Sequence, residues 1–381
     1  MIDQTKKILT VFGTRPEAIK LAPLVLGCAS KPYGLDISVC VTSQHKEMLT
    51  QVLDLFNIRP DYDLDIMEKD QDLFDITSKI ILRLRQVLEE FRPDVVVVQG
   101  DTSTAFLGAL AAFYMKIPVG HVEAGLRTRD KYNPFPEELN RSFISSLTDL
   151  HFAPTEHAKR NLLDEQVPEE RIFVTGNTVI DALMLTLSIQ RTVKPVGQKN
   201  FSGVDFSKRI VLVTGHRRES FGKGFRNICT ALRAIAESHD DIEIVYPVHL
   251  NPNVRSTVME TLKGLPNIHL KEPMNYAEFV YLMDHCYLIL TDSGGVQEEA
   301  PSIGKPVLVM RNTTERPEAI QAGTAILVGT EAKAIVEQTE RLLENEDVYK
   351  QMASVKNPYG DGKAAERIIE VLGRNTGGKI F

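Results

Sequence analysis

An α/β fold of two doubly wound domains follows from three observations on this 381-residue chain. Apolar runs of strand length alternate with helix-period segments almost from end to end. The run Val95-Val-Val-Val98 is continuous and β-branched, as a parallel strand covered on both faces requires. The alternation breaks once, in polar Gly- and Pro-containing sequence at 190–208, and then restarts.

The first half offers strands at Lys7–Val11, Ile37–Val41, Asp94–Gln99, Pro118–Val122, Leu150–Pro154 and Ile172–Thr175. Between them lie helical stretches such as Glu17–Ala29, Gln44–Phe56, Leu73–Phe91 and Ser103–Met115. The second half offers strands at Ile210–Val213, Ile242–Tyr246, Ile268–Leu270, Leu288–Leu290, Val307–Val309 and Ala325–Val328. Right-handed crossovers between such strands give a Rossmann-like domain in each half. We expect residues 1–174 in the first domain and 175–362 in the second, with the amphipathic tail 363–381 packing back on the first. The two domains are expected to face each other across a cleft.

Composition narrows the function. A net charge of −7 gives no basic surplus to neutralise nucleic-acid phosphates, yet leaves room for a small anionic ligand. The four cysteines are scattered, with no CxxC pair, so neither a disulfide frame nor a metal site is expected. No apolar run reaches membrane-spanning length and the N-terminal one is too short for a signal peptide, which predicts a cytoplasmic protein.

In open α/β sheets ligands bind beyond the carboxyl ends of strands, and the unusual clusters here all lie at such ends. Gly13-Thr-Arg-Pro-Glu-Ala-Ile-Lys20 follows the first strand and puts Arg15 and Lys20 where a diphosphate could sit. It is neither a Walker loop nor GxGxxG, which argues against ATP and NAD. A capped helix with solvated basic residues would read the same way.

Gln99-Gly-Asp-Thr-Ser-Thr104 sets Asp101 at a strand end, where it could equally be a helix N-cap. Gly120-His-Val-Glu-Ala-Gly-Leu-Arg-Thr128 supplies His121 and Glu123. Pro134-Phe-Pro-Glu-Glu-Leu-Asn-Arg141 supplies Glu137 and Glu138, ordinary first-turn dipole partners when taken alone. Three connections each bringing a carboxylate toward an anionic ligand suit general acid–base work.

In the second half, Gly215-His-Arg-Arg-Glu219 places His216 and Arg217 just past a strand, for contact with phosphate or for proton transfer. Tyr246-Pro-Val-His249 offers a histidine that alone would be structural. Leu288-Ile-Leu-Thr-Asp-Ser-Gly-Gly295 runs into a helix start whose amides lack intrahelical partners, an anion-binding arrangement, with Glu298 and Glu299 following as possible ribose acceptors. An ordinary turn capped by Ser293 would look the same. Arg311-Asn-Thr-Thr-Glu-Arg-Pro-Glu318 repeats an Arg-Pro-Glu theme and adds Arg316 to the basic set.

Taken together and in order, these blocks resemble the non-hydrolysing UDP-N-acetylglucosamine 2-epimerases over essentially the whole chain. Phe12-Gly-Thr-Arg-Pro-Glu-Ala-Ile-Lys20, Gly100-Asp-Thr, His121-Val-Glu-Ala-Gly-Leu-Arg-Thr128, Pro136-Glu-Glu, Thr175-Gly-Asn-Thr-Val-Ile-Asp181, Gly215-His-Arg-Arg-Glu219 and Ser293-Gly-Gly-Val-Gln-Glu-Glu299 carry the likeness. It implies a GT-B-like pair of domains, a homodimer, and no cofactor or metal. It further implies interconversion of UDP-GlcNAc and UDP-ManNAc by loss and re-addition of UDP across a glycal, feeding surface polysaccharide.

By that resemblance Asp101, Glu123, Glu137 and His216 fall at catalytic positions. Arg15, His216, Ser293, Gly294, Gly295 and Glu299 fall at UDP contacts, to which Lys20, Arg217 and Arg316 are added. A second, activating UDP-GlcNAc would correspond to Gln44, His45, Gln71, Arg217 and His249. Phe135 stands where close relatives often have Trp, and Gln99 where some have His. The alternatives are a GT-B glycosyltransferase using a UDP-sugar, a hydrolysing 2-epimerase, and a nucleotide-sugar sensor.

Overall fold

The computed structural model describes residues 5–29, 32–43, 46–68, 70–217 and 221–374. The chain divides into two compact units, residues 1–185 with 359–381 and residues 186–358. The first division falls inside a helix, so the first unit extends past residue 174.

The first unit holds strands β1 (Lys6–Phe12), β2 (Leu35–Val41), β3 (Tyr62–Asp63), β4 (Val95–Gln99), β5 (Val119–Val122), β6 (Leu150–Ala153) and β7 (Ile172–Val174). Its helices are α1 (Arg15–Gly27), α2 (Lys46–Phe56), α3 (Leu73–Phe91), α4 (Ser103–Tyr114), α5 (Glu137–Leu147), α6 (Glu156–Asp164) and the start of α7 (Thr178–Thr192). The strands form one parallel sheet in the order β3-β2-β1-β4-β5-β6-β7. Every residue of Val95–Val98 is buried, each side chain stabilising the sheet by roughly 1.5–3 kcal/mol through burial. Leu9, Val11, Ile80, Leu84, Val96, Val98, Leu107 and Ile144 belong to the same core.

The second unit holds β8 (Arg209–Thr214), β9 (Ile242–Pro247), β10 (Ile268–Lys271), β11 (Leu288–Thr291), β12 (Val307–Val309) and β13 (Ala325–Leu327). Helices α8 (Lys223–Ser238), α9 (Pro252–Leu262), α10 (Tyr276–His285), α11 (Gly294–Glu299), α12 (Pro317–Ala322), α13 (Ala332–Glu344) and α14 (Glu346–Ala353) cover it. The order β10-β9-β8-β11-β12-β13 is again parallel throughout. Its core gathers Val211, Val213, Ile228, Leu232, Ile244, Leu290, Leu308 and Ile335.

A last helix, α15 (Ala364–Arg374), returns to the first unit. It buries Ala364, Ala365, Ile368, Ile369 and Leu372. The Asp181 carboxylate accepts the otherwise unpartnered amides of Ala364 and Ala365 at 3.2 and 2.9 Å, and Lys6 Nζ donates to Leu372 O at 3.2 Å. In each sheet the strand order reverses direction once, between β1 and β4 and between β8 and β11. Connections diverge at those points, and that is where a doubly wound sheet opens a crevice for ligands.

Candidate active-site clusters

In the first unit the loops after β1 and β4 flank the reversal. Gly13 has to be glycine, because a Cβ there would lie 1.9 Å from Thr42 Oγ1. Thr14 caps α1, with Arg15 as its first residue and Pro16 its second. Glu17, buried, accepts from the amides of Gly13 and Thr14 at 3.1 and 2.8 Å and from the Thr14 hydroxyl at 2.7 Å. Its other oxygen takes the Thr102 hydroxyl at 2.6 Å, tying the β4 loop to the β1 loop. Burial raises the Glu17 pKa, opposed by these hydrogen bonds.

Lys20, one turn on, reaches Glu123 with Nζ 2.6 and 2.7 Å from the two carboxylate oxygens. Asn177 Nδ2 donates to Glu123 at 3.0 Å and Gln99 Nε2 donates as well. Glu123 is nearly buried and sits just past β5 with φ +67°, a conformation that costs a non-glycine residue roughly 1–3 kcal/mol and gathers at functional sites. Lys20, placed by sequence among phosphate contacts, is thus engaged with a carboxylate.

Asp101 does not cap α4; Thr102 does, because its side chain accepts from Ala105 N while Asp101 turns to Arg141. Arg141 Nη2 lies 2.6 Å from Asp101 and its Nη1 2.9 Å from Glu138. Asn140 Nδ2 donates to the Asp101 carbonyl at 2.9 Å, so α5 grips the β4 loop by side chain and backbone. Glu138 also accepts the Arg129 amide at 2.8 Å, which makes it structural.

Glu137, its neighbour in the first turn of α5, is different. Its Oε2 is buried without a hydrogen-bond partner. Buried polar atoms are rarely left so, and those that are call for a functional explanation. His121, buried on β5, donates from Nε2 to Gly100 O at 2.7 Å and steadies the residue before Asp101, where Gly100 takes φ +71°. Burial drives the His121 pKa down to about 4 despite that bond, so the ring is neutral.

In the second unit the loops after β8 and β11 flank the reversal. Asp292, fully buried, accepts the amides of His216 and Arg217 at 2.6 and 2.7 Å on Oδ2. Its Oδ1 lies 3.2 Å from His216 Nδ1. Burial opposes the Asp292 charge, but the His216 ring and the two amides prevail and hold its carboxyl below the ordinary range. His216 stacks on His249 with ring centroids 5.6 Å apart. Burial, then the neighbouring His216, lowers the His249 pKa.

Ser293 precedes α11 without a side-chain capping bond. That helix has only six residues and continues into a 3₁₀ turn, so the macrodipole expected there is small. Gly294 and Gly295 form its first turn. Glu298 pairs with Arg316, so it anchors that guanidinium and is not a ribose acceptor. Glu299 receives the Tyr276 hydroxyl at 2.5 Å. Glu315 binds Arg311 at 2.6 Å and Arg217 at 3.4 Å, and with its charged neighbours Arg316 and Arg311 its pKa falls although burial opposes this.

Gln71 spends its amide on its own loop, donating to Ile66 O at 2.7 Å and accepting from Glu68 N at 2.9 Å. Gln44 and His45 lie outside the described residues, as do Arg218 and Glu219. Among the described residues no cluster of His, Cys, Asp and Glu could hold a metal ion, and no helix is long and apolar enough to cross a membrane.

Known proteins match this chain over nearly its whole length. The family model described as UDP-N-acetylglucosamine 2-epimerase matches residues 28–373. The chain belongs to the UDP-N-acetylglucosamine 2-epimerase family. The enzyme of that name from Escherichia coli K12 is 57% identical over 372 residues, 97% of this chain and 99% of the relative.

Among solved 2-epimerase structures, that of Neisseria meningitidis bound to UDP-GlcNAc superposes with a TM-score of 0.90 at 51% identity, covering 97% of this chain and 100% of the other. The Methanocaldococcus jannaschii 2-epimerase in complex with UDP-GlcNAc and UDP gives 0.80 at 37% identity, with the same coverage. The two-unit α/β architecture is therefore that of a 2-epimerase. Sequence reasoning missed Gln99, Arg141, Asn177, Tyr276 and Asp292 as working residues of these clusters. Gln99 and Asn177 were in quoted motifs, but only the fold brings them to one carboxylate.

Proposed function

We propose that this chain inverts C2 of UDP-GlcNAc to give UDP-ManNAc, reversibly, with the sugar returned to UDP at the end of each turnover. The observation that carries the reading is the near full-length match to 2-epimerases, one of them bound to UDP-GlcNAc. The chemistry explains why two kinds of cluster are needed. The C2 proton has no adjacent carbonyl and is only weakly acidic, so a free carbanion is inaccessible. Loss of the proton from C2 coupled to breaking of the C1–O bond leaves a C1–C2 double bond and free UDP. Re-forming the C1–O bond while a proton is added to the opposite face of C2 completes inversion.

Acid–base groups for the proton are supplied, in this reading, by the first unit. Glu137, the one of the three carboxylates with a buried oxygen lacking a partner, takes the C2 proton. Asp101, held by Arg141, serves the opposite face. Glu123 stays with Lys20, Gln99 and Asn177 as fixed negative charge facing the positive character that develops at C1. The second unit binds UDP: Arg217, Arg316, the Ser293 hydroxyl and the amides of Gly294 and Gly295 face the diphosphate, Glu299 the ribose, and His216 the departing oxygen. The Ser293 amide itself donates to Thr291 Oγ1 at 2.9 Å.

The exposed apolar side chains Phe74, Leu82, Phe113, Tyr114 and Phe143 on α3, α4 and α5 support a homodimer, which sedimentation would test. Activation by a second UDP-GlcNAc belongs to the same proposal and predicts a sigmoidal rate. The product's use in surface polysaccharide does too. Incubation with UDP-GlcNAc in deuterium oxide tests the core of it. Deuterium at C2 of both UDP-sugars is expected; no exchange refutes elimination, and stoichiometric free UDP with free sugar makes the enzyme a hydrolysing one.

A further inference from the structure

We propose that Asp292 is a positioning residue that fixes the tautomer of His216 and steadies its charged form, a role that rests on the reading of His216 as an acting group. Three contacts converge on this one carboxylate. Oδ2 binds the two amides of the β8 loop and so sets where His216 begins. Oδ1, buried and accepting no aligned hydrogen bond, lies 3.2 Å from Nδ1 of the ring, which is the distance of an ion pair. No part of Asp292 is exposed, whereas the His216 side chain is 41% exposed, so water screens that attraction only from the imidazole side.

A carboxylate accepts and cannot donate at neutral pH, so the ring nitrogen facing it has to carry the proton. The neutral ring is therefore held as the Nδ1–H tautomer, with Nε2 free to pick up a second proton. The imidazolium so formed is balanced by the buried anion behind it, the arrangement by which an aspartate serves a catalytic histidine in hydrolases. Nε2–H can then hydrogen-bond the phosphate oxygen that gains charge as the C1–O bond breaks. No bond to His216 forms and no proton need be lost from it.

The neighbouring groups do not offer a substitute. His249 is stacked on the ring, and its own Nδ1 accepts from Asn251 N at 3.0 Å. The Tyr246 hydroxyl is turned to Gly215 O at 3.0 Å. Glu315 is engaged with Arg311 and Arg217.

The test combines nitrogen-15 NMR of the wild-type protein with a mutant cycle. The His216 resonance, identified by its loss in His216→Gln, is expected to report the Nδ1–H form when neutral. A neutral ring protonated at Nε2 would overturn the proposal without any change to residue 292. Asp292→Asn is expected to lower kcat about 100-fold or more, as loss of a histidine-orienting aspartate does, while the UDP dissociation constant stays within about 3-fold. In His216→Gln, the same Asp292→Asn change is expected to cost almost nothing more. Full additivity, or loss of UDP binding with kcat spared, would make Asp292 a loop anchor only. Full turnover by His216→Gln itself would instead remove His216 from the proposed function.

Discussion

Glu137→Gln separates catalysis from folding at the first unit's carboxylates. The replacement keeps shape and removes the ability to take a proton. Because Glu137 Oε2 has no partner in the folded protein, no hydrogen bond is lost there, and stability should change by less than about 1 kcal/mol. Turnover is another matter. A positioned acid–base group contributes about 10²–10⁴-fold, so kcat should fall by that factor, or about 2.7–5.4 kcal/mol of barrier. Glu123→Gln serves as the contrast. It removes the carboxylate that binds Lys20 through both oxygens, where breaking a buried pair costs about 3–5 kcal/mol. Lys20 keeps some exposure, 16% of its side chain, so the lower end of that range applies. Urea midpoints, UDP titration calorimetry and C2 deuterium exchange on the two variants complete the assay. Turnover by Glu137→Gln within about 3-fold of wild type would refute its assignment, since a positioned acid–base residue typically contributes about 10²-fold or more.

Tyr276→Phe removes the 2.5 Å bond that steers Glu299, so UDP affinity should weaken by about 2–12-fold with kcat spared, read by calorimetry. Arg141→Met leaves Asp101 and Glu138 without their shared guanidinium, and should depress both the melting temperature and turnover, measured on one preparation. Stability should also fall on acidification. His121 and His151 titrate at about 4 and about 3 in the folded protein against 6.5 for an ordinary histidine, burial being the chief cause in each. The unfolded chain therefore binds protons first, and the stability these rings confer is intact above pH 6.5 and lost as pH falls toward about 4 for His121 and about 3 for His151. Glu17, Asp149 and Asp181 have raised values and pull the other way, so the comparison is made with His151→Gln, whose urea midpoint should fall less steeply between pH 6.5 and 5.

Which parts of this were legible in sequence follows from how local each signal is. Helix α3 is found at Leu73–Phe91 as read, because its apolar period is regular and Asp72 caps it through Phe74 and Asp75. The buried strands were found within a residue or two because their runs are bounded by Gly, Pro and Asp. β3 went unread, being two residues long and defined only by its pairing with Cys40 and Val41. In Gly100-Asp-Thr two adjacent residues could cap α4, and only Arg141, forty residues away, decides that Thr102 does so. The same holds for Glu123 with Asn177 and for His216 with Asp292: pairs 54 and 76 residues apart leave no periodic trace. Residue types at strand ends named the clusters, and the strand order decided which side chains share one.

Both units solve one problem in the same way. At a sheet's reversal point two loops leave in opposite directions, so no backbone ladder joins them and their amides would be left to water. In the first unit Glu17, from the β1 loop, accepts the amides of its own loop and the Thr102 hydroxyl of the β4 loop. In the second unit Asp292, from the β11 loop, accepts two amides of the β8 loop. A buried carboxylate can satisfy several donors at once, which a neutral acceptor of the same size cannot match. The two latches differ in what they leave behind. Glu17 is consumed by amides and hydroxyls, and its raised pKa is that of a strut. Asp292 keeps one oxygen beside an imidazole and retains its charge, so the same structural element is available to serve chemistry. The carboxylates proposed for proton transfer in the first unit therefore lie elsewhere, on the β4 loop, beyond β5 and at the start of α5.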